Sequence, residues 1–267
     1  MRRLGQHFLT DPATLRKIVS ALDVHSSDAL IEIGSGHGEL TNKLLAVSFE
    51  LLGKDRPATK IIAIEKDKQL AKELKEKFSN NAAVNVVEGD ALKILPDVIK
   101  GYKLKAKSYK LAGNIPYYIT GHLLRTIGAL PNKPERCVFT IQKEVAERIV
   151  AKPPRMNRLA ASVQFWANPE ILGGISRHLF RPPPEVDSAI IRLMTINPPA
   201  DEKAAISFNQ ILPILFRQPR KTIFNNLRAR FPQDEVHKNL RQIGAESNAR
   251  PQDLSIDQII HLARLWN

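Results

Sequence analysis

Short apolar runs that end in glycine or a polar residue and then pass into helical spacing recur along the first half of this chain, and that alternation leaves few folds open. Ala29 to Ile33 ends in Gly34-Ser35-Gly36-His37-Gly38, after which Leu40, Leu44 and Leu45 take up a helical period. Ile61 to Ile64 ends in Glu65 and is followed by Leu70, Leu74 and Phe78, while Val84 to Val87 leads into Glu88-Gly89-Asp90. Tyr109 to Ala112 runs into Gly113-Asn114-Ile115-Pro116-Tyr117-Tyr118, and Cys137 to Ile141 precedes a helix holding Val145 and Ile149. Parallel strands need a crossover, usually a helix, so the expected fold is α/β with a doubly wound, mostly parallel sheet. Ligands in such sheets sit at the carboxyl ends of the strands. There this chain collects its unusual polar residues.

A helix precedes the first strand, with Asp11 as N-cap, Pro12 at its first position and Leu15, Ile18, Val19 and Leu22 at helical spacing. Beyond Phe180 comes a proline cluster, then Ser188 to Met194 as another strand, then Asn197-Pro198-Pro199 as a linker. The remainder carries Ile211, Leu215, Ile223, Leu227, Leu254, Ile259, Ile260 and Leu262 without clear strands, which predicts a small helical domain over 198–267 behind a ligand-binding domain over 1–197. A chain of 267 residues, 43% of them hydrophobic, can bury one large core and a modest second one. The formal net charge of +13 points to a polyanionic partner without choosing between RNA, DNA and acidic lipid. The lone Cys137 excludes an intramolecular disulfide framework, and no Cys/His spacing marks a metal site, so a reducing, cytoplasmic setting is expected. Neither a signal peptide nor a membrane anchor is expected, since no apolar stretch reaches spanning length.

A glycine turn after the first strand lets backbone amides and the next helix N-terminus come close to a ligand, and Gly34 and Gly36 are the positions for it. The dinucleotide fingerprint G-x-G-x-x-G is not met, because Gly38 comes one residue early and Glu39 stands where the third glycine belongs. A dehydrogenase is disfavoured without being excluded. Glu65, ending the second strand, is placed to accept hydrogen bonds from both hydroxyls of a ribose; Asp90, ending the third, is placed to accept from the amino group of an adenine. Together the strand ends describe a slot for adenosine, with no phosphate-binding lysine motif beside it. S-adenosyl-L-methionine is such a nucleoside. The plainer alternative for both acids is a solvated residue at a strand end.

Asn114-Ile115-Pro116-Tyr117 is the most specific short feature of the chain. The amino nitrogen of adenine is a poor nucleophile because its lone pair is delocalised into the ring, and acceptors on its two protons would localise that pair. The side-chain oxygen of Asn114 and the backbone carbonyl of Ile115 are candidates, with Pro116 setting the backbone direction and Tyr117 offering a face for the base. A sulfonium is already a good leaving group, so alignment and electrostatic placement would carry the catalysis. A base inside a stacked helix is out of reach and must be flipped out or taken from a loop. A second aromatic is then expected on its other face. Phe180, directly before Arg181-Pro182-Pro183-Pro184, is the candidate, held exposed by the prolines; the alternative is a core residue at a loop edge.

At these residues the chain resembles the KsgA family of small-subunit ribosomal RNA adenine dimethyltransferases over nearly its whole length. Leu4-Gly5-Gln6-His7-Phe8-Leu9 is similar to the family's opening motif, which implies cofactor contacts for Gln6, His7 and Leu9. Glu32-Ile33-Gly34-Ser35-Gly36 resembles its glycine motif, Glu65 its ribose-binding acid, Gly89-Asp90-Ala91 its adenine-binding turn and Asn114 to Tyr117 its catalytic loop. Gln142 to Arg148 and Phe180 to Ser188 are also similar to family motifs, and Arg220-Lys221-Thr222 with Asn225-Asn226-Leu227 resembles its basic helix. The resemblance implies a Rossmann-like, class I methyltransferase fold and dimethylation of two adjacent adenines in small-subunit rRNA. It implies as partner a pre-assembled small ribosomal subunit, met by a monomer. His7 stands where the family usually has asparagine, Ser35 where it has proline, and Ser48 to Lys60 reads as a surface loop insertion.

Basic residues concentrate at Arg217, Arg220, Lys221, Arg228 and Arg230 in the second domain, and at Lys100, Lys103, Lys105, Lys107 and Lys110 in a loop of the first. Either group could contact phosphates, which sets affinity and position rather than sequence; a solvated face is the alternative, above all for the lysines. Two rival functions stay open. One is the large-subunit rRNA methyltransferase linked to macrolide resistance, with the same fold and loop type. The other is a ribosome-assembly binding factor that keeps the fold without the chemistry. The proline cluster after Phe180 and the second-domain helix favour the small-subunit reading, and intact Asn114, Tyr117, Glu65 and Asp90 argue against lost chemistry.

Overall fold

The computed structural model of the chain describes residues 6–52, 60–196, 202–246 and 248–266. They divide into two compact units, one of residues 1–146 and 169–195, the other of 147–168 and 196–267. In the first unit the strands are β1 (Phe8–Leu9), β2 (Ala29–Ile33), β3 (Lys60–Glu65), β4 (Val84–Glu88), β5 (Tyr109–Asn114), β6 (Arg136–Gln142), β7 (Ala167–Ile175), β8 (Phe180–Arg181) and β9 (Ser188–Thr195). The helices between them are α1 (Pro12–Leu22), α2 (Glu39–Leu52), α3 (Lys68–Lys77), α4 (Ala91–Gly101), α5 (Thr120–Ala129) and α6 (Lys143–Ile149).

Seven strands form one sheet in the order β4-β3-β2-β5-β6-β9-β7. The pairings from β4 through β6 are parallel, and β9 runs antiparallel to β6. Strands β2, β3, β5 and β6 are buried along nearly their whole length, as a parallel sheet covered on both faces requires. The chain winds outward from β2 to β4 and then returns to place β5 on the other side of β2. That reversal opens a crevice at the carboxyl ends of β2 and β5. A separate antiparallel pair, β1 with β8, sets Phe8 opposite Arg181 and Leu9 opposite Phe180. The N-terminal segment is thereby fastened beside the crevice.

The N-cap expected at Asp11 is present, and two further aspartates act alike. The Asp11 carboxylate accepts from the Thr14 amide at 2.7 Å with Pro12 in the first turn, and Asp67 and Asp90 cap α3 and α4 in the same manner. The second unit contains α7 (Arg158–Gln164), α8 (Glu202–Leu215), α9 (Ile223–Leu227), α10 (Gln233–Gln242) and α11 (Ile256–Arg264). Their shared core holds each of the apolar residues expected there, from Ile211 and Leu215 to Ile260 and Leu262. Phe165 stacks on Phe208 with ring centroids 4.0 Å apart.

Some expectations change. By contacts, residues 147–168 group with the C-terminal helices, because Met156, Ala160, Ala161 and Phe165 belong to the helical core. The linker expected at Asn197-Pro198-Pro199 lies outside the described residues. Ser48 to Leu52 are not loop but the last turns of α2, and Lys60 opens β3; residues 53–59 of the expected insertion lie outside the described residues. Strand β7 is not among the expected strands, because Asn168-Pro169 and Gly173-Gly174 read as breakers. As the last strand in the sheet order it tolerates them, since an edge strand can do without a ladder donor. Lys110 is no loop lysine: it is fully buried on β5, with its ammonium 2.7 Å from the Asp28 carboxylate.

Candidate active site

The carboxyl ends of β2, β3, β4 and β5 surround a cleft of about 830 Å³ of empty space, its open mouth included. Its floor begins at the turn after β2, where Gly34 and Gly36 hold φ of +73° and +57°. Gly34 donates its N–H to the Ile64 carbonyl at 2.9 Å. A side chain at Gly36 would start 2.9 Å from the ring of Phe8, so only glycine lets the N-terminal segment lie this close.

Glu65 is 6% exposed and held by both oxygens, one accepting from the Gly36 amide at 2.9 Å and the other from the Asp67 amide at 2.8 Å. Each oxygen keeps further acceptor capacity, in a cleft whose wall this residue forms. Asp90 caps α4 through one oxygen, 3.1 Å from the Leu92 amide, and meets the Lys66 ammonium at 2.9 Å with the other. Burial works to raise its pKa, but the Lys66 and Leu92 hydrogen bonds outweigh it and hold the carboxyl below its usual range. Glu32, beneath the glycine turn, is 1% exposed; burial pushes its pKa up to about 8 against a hydrogen bond from Thr41.

On the opposite wall, β5 ends in Asn114 and the chain turns through Ile115 and Pro116 into a single 3-10 turn, Tyr117–Ile119. The Asn114 side-chain N–H donates to the His7 carbonyl at 2.6 Å. A carbonyl can only accept, so the amide is oriented, and its oxygen is the end left for a ligand. The Ile115 amide donates to the Thr140 carbonyl at 3.0 Å, and the Tyr117 hydroxyl lies 2.7 Å from that of Ser188. His7 Nδ1 is 2.9 Å from the Pro182 carbonyl, and its ring faces Tyr117 with centroids 6.1 Å apart.

The cleft therefore brings together Gln6, His7, Gly34, Gly36, Glu65, Asp90, Asn114, Ile115, Pro116, Tyr117 and Phe180. Leu9 is left out. Extended residues alternate sides, so Phe8 forms the cleft wall while Leu9, 4% exposed, packs into the core with Leu15 and Phe180. Phe180 reaches the cleft but is 1% exposed, a buried wall rather than the exposed platform expected from its prolines. The exposed aromatic is Tyr118, at 61%. Lys66, Phe8, Tyr118 and Ser188 are the residues that sequence reasoning passed over. Phe8 and Ser188 both stand inside motifs read from the sequence, but nothing local in either motif gives them a place at the site.

In the second unit Arg217, Arg220, Lys221 and Arg228 are all exposed. They lie not on a helix, as expected, but in the turn before α9 and just after its end. The buried Asn226 organises that turn, accepting from the Gln218 amide at 3.0 Å and donating to the Gln218 and Thr222 carbonyls, both at 3.1 Å.

The donor set of the cleft suits a nucleoside without phosphates better than a nucleotide. Two carboxylates face it, and among the described lining residues the one ammonium, Lys66, is already paired with Asp90. The whole chain, residues 1–267, matches the family model described as ribosomal RNA adenine dimethylase. The chain belongs to that family. A protein of Dehalococcoides mccartyi strain CBDB1 named ribosomal RNA small subunit methyltransferase A is 38% identical over 84% of this chain and 73% of its own length. One of the same name from Caldanaerobacter subterraneus subsp. tengcongensis is 33% identical over 98% and 95%. Among solved structures, a dimethyladenosine transferase from Plasmodium falciparum superposes with a TM-score of 0.74 at 26% identity, covering 96% of each chain. The 23S rRNA methyltransferase ErmE does so with 0.72 at 25% identity, over 97% of this chain and 98% of that one. This dimethylase is thus an enzyme with a Rossmann-like methyltransferase fold, and S-adenosylmethionine is its methyl donor. Among the described residues no helix is long and apolar enough to cross a membrane.

Proposed function

We propose that this dimethylase acts on small-subunit rRNA, converting two adjacent adenines to their N6,N6-dimethyl forms within a pre-assembled small ribosomal subunit, as a cytoplasmic monomer. The names of the D. mccartyi and Caldanaerobacter relatives support the small-subunit assignment. The observation that carries the chemistry is that the Asn114 to Tyr117 turn and the Gly34, Gly36 and Glu65 strand ends share one cleft. When bound, S-adenosylmethionine supplies a methyl group already activated on a sulfonium. Glu65 would hold its ribose, Asp90 its adenine, and Gln6 and His7, with the glycine turn, would close over it.

The acceptor base is the task of the turn. Its amine would donate one hydrogen to the Asn114 side-chain oxygen and the other to the Ile115 carbonyl, which returns the lone pair to nitrogen and aims it. Tyr117 offers one face for stacking, and the buried Phe180 wall bounds the pocket. Catalysis is then alignment more than proton transfer. Arg217, Arg220, Lys221 and Arg228 supply phosphate contacts that position the particle without reading bases.

The likeness to ErmE favours a second reading, a large-subunit substrate. The test is to supply methyl-labelled S-adenosylmethionine with unmethylated small subunits, large subunits or naked rRNA, and to map labelled adenines by mass spectrometry. Label on small subunits alone is expected; label on large subunits or on 23S rRNA transfers the assignment to the second reading. Asn114→Ala should lower kcat by about a hundredfold or more while weakening cofactor binding far less. Full activity in that variant would remove the turn from the chemistry.

A further inference from the structure

We propose that Ser188 is a positioning residue for methyl transfer: through the hydroxyl of Tyr117 it sets the plane of the ring on which the acceptor base stacks. The inference rests on the role given above to the Asn114 to Tyr117 turn.

Ser188 is fully buried, the first residue of β9, and pairs across the ladder with Gln142 at the end of β6. The backbone just before it is equally constrained. The Asp187 carbonyl accepts from the Lys143 amide at 3.0 Å, and the Asp187 carboxylate accepts from the Arg177 amide at 3.0 Å. Ser188 Oγ is therefore a fixed point on the sheet. Tyr117 is not. It opens a single 3-10 turn that has no side-chain cap, and its ring is only half-buried. A ring so placed can swing about its first two torsions unless its far end is tied, and the 2.7 Å contact to Ser188 ties it.

The neighbouring strand holds the other end of the turn, since the Thr140 carbonyl of β6, paired with β9, accepts the Ile115 amide. Acceptor carbonyl and stacking ring are thus referred to one frame. Packing alone does not call for this pair, because two apolar groups of the same shape would fill the space at little or no cost in stability. The polar contact confers a defined ring position.

The test is a double-mutant cycle of Ser188→Ala and Tyr117→Phe, with Tyr117→Ala beside it, on whichever rRNA particle the wild type methylates. Each single variant should lower kcat by about five- to tenfold, the worth of one lost hydrogen bond expressed in the transition state. The double variant should be no slower than the singles, with cofactor affinity by calorimetry and thermal midpoint near wild type. Wild-type kcat in Ser188→Ala, or losses that multiply in the double variant, would overturn the proposal. So would losses matched by a fall in cofactor affinity or midpoint. If Tyr117→Ala is itself fully active, the reading of the turn fails and this proposal with it. A collapsed Tyr117→Ala beside an unaffected Ser188→Ala sinks the proposal alone.

Discussion

Glu32 shows what a single side chain contributes beneath the site. A carboxyl buried near the end of β2 is easier to keep neutral than ionised: burial, helped by the nearby Glu65 charge, outweighs the hydrogen bond that Thr41 donates to it, and its pKa rises from 4.5 to about 8. The folded protein then binds a proton there that the unfolded chain has lost between those values. The resulting stabilisation is complete below about 4.5 and disappears as pH climbs through about 8. Asp90, with its pKa lowered below 3.8, works in the opposite direction and in a separate, more acid window. Denaturant midpoints measured from pH 5 upward should therefore fall toward pH 8 more steeply in the wild type than in Glu32→Gln. Parallel curves for the two proteins would dismiss the buried acid as the cause. At this scale the sequence named the chemical groups well and their exposure poorly. Phe180 and Lys110 both proved buried, because burial depends on neighbours that are distant along the chain.

Among the elements, the tightest constraint is where β5 crosses beside β2. A methyl group on Gly113 would sit 2.4 Å from the Ile33 carbonyl oxygen, which is backbone and cannot yield as a side chain can. Gly113→Ala must push β5 off β2 one residue before Asn114. A loss of about 1–3 kcal/mol, seen as a thermal midpoint lower by several degrees, is expected, with cofactor affinity reduced alongside. Gly121, inside α5, has nothing within 4 Å of the same added atom, and Gly121→Ala should stabilise by about 0.5–1 kcal/mol through helix propensity. Calorimetric scans showing the same sign for both substitutions would contradict this account. The sheet strands and the capped helices were legible because their signals are local: apolar runs, a capping aspartate, a glycine turn. Strand β7 and the end of α2 were not, since an edge position and a helix's continuation depend on what packs alongside.

For the molecule as a whole, the excess of positive charge is the property that reaches beyond the cleft. With a formal charge of +13 and the basic turn around α9 held open by Asn226, binding to an rRNA particle should weaken steeply with salt. Replacing Arg220 and Lys221 by glutamine should reduce the slope of log affinity against log salt by about 1.4–1.8, if each contacts one phosphate. An unchanged slope in a filter-binding titration would take that turn out of the interface. Sequence by itself determined the alternation of strands and helices, the order of polar residues at the strand ends and membership of the dimethylase family, because these reside in local periodicity and in motifs contiguous along the chain. Only the tertiary structure decided that Phe8 and not Leu9 faces the cleft, that His7 orients the Asn114 amide, that Lys66 occupies Asp90, and that Ser188 reaches Tyr117. Those contacts join residues that only the winding of the sheet brings together, and no spacing along a chain encodes a distance across one.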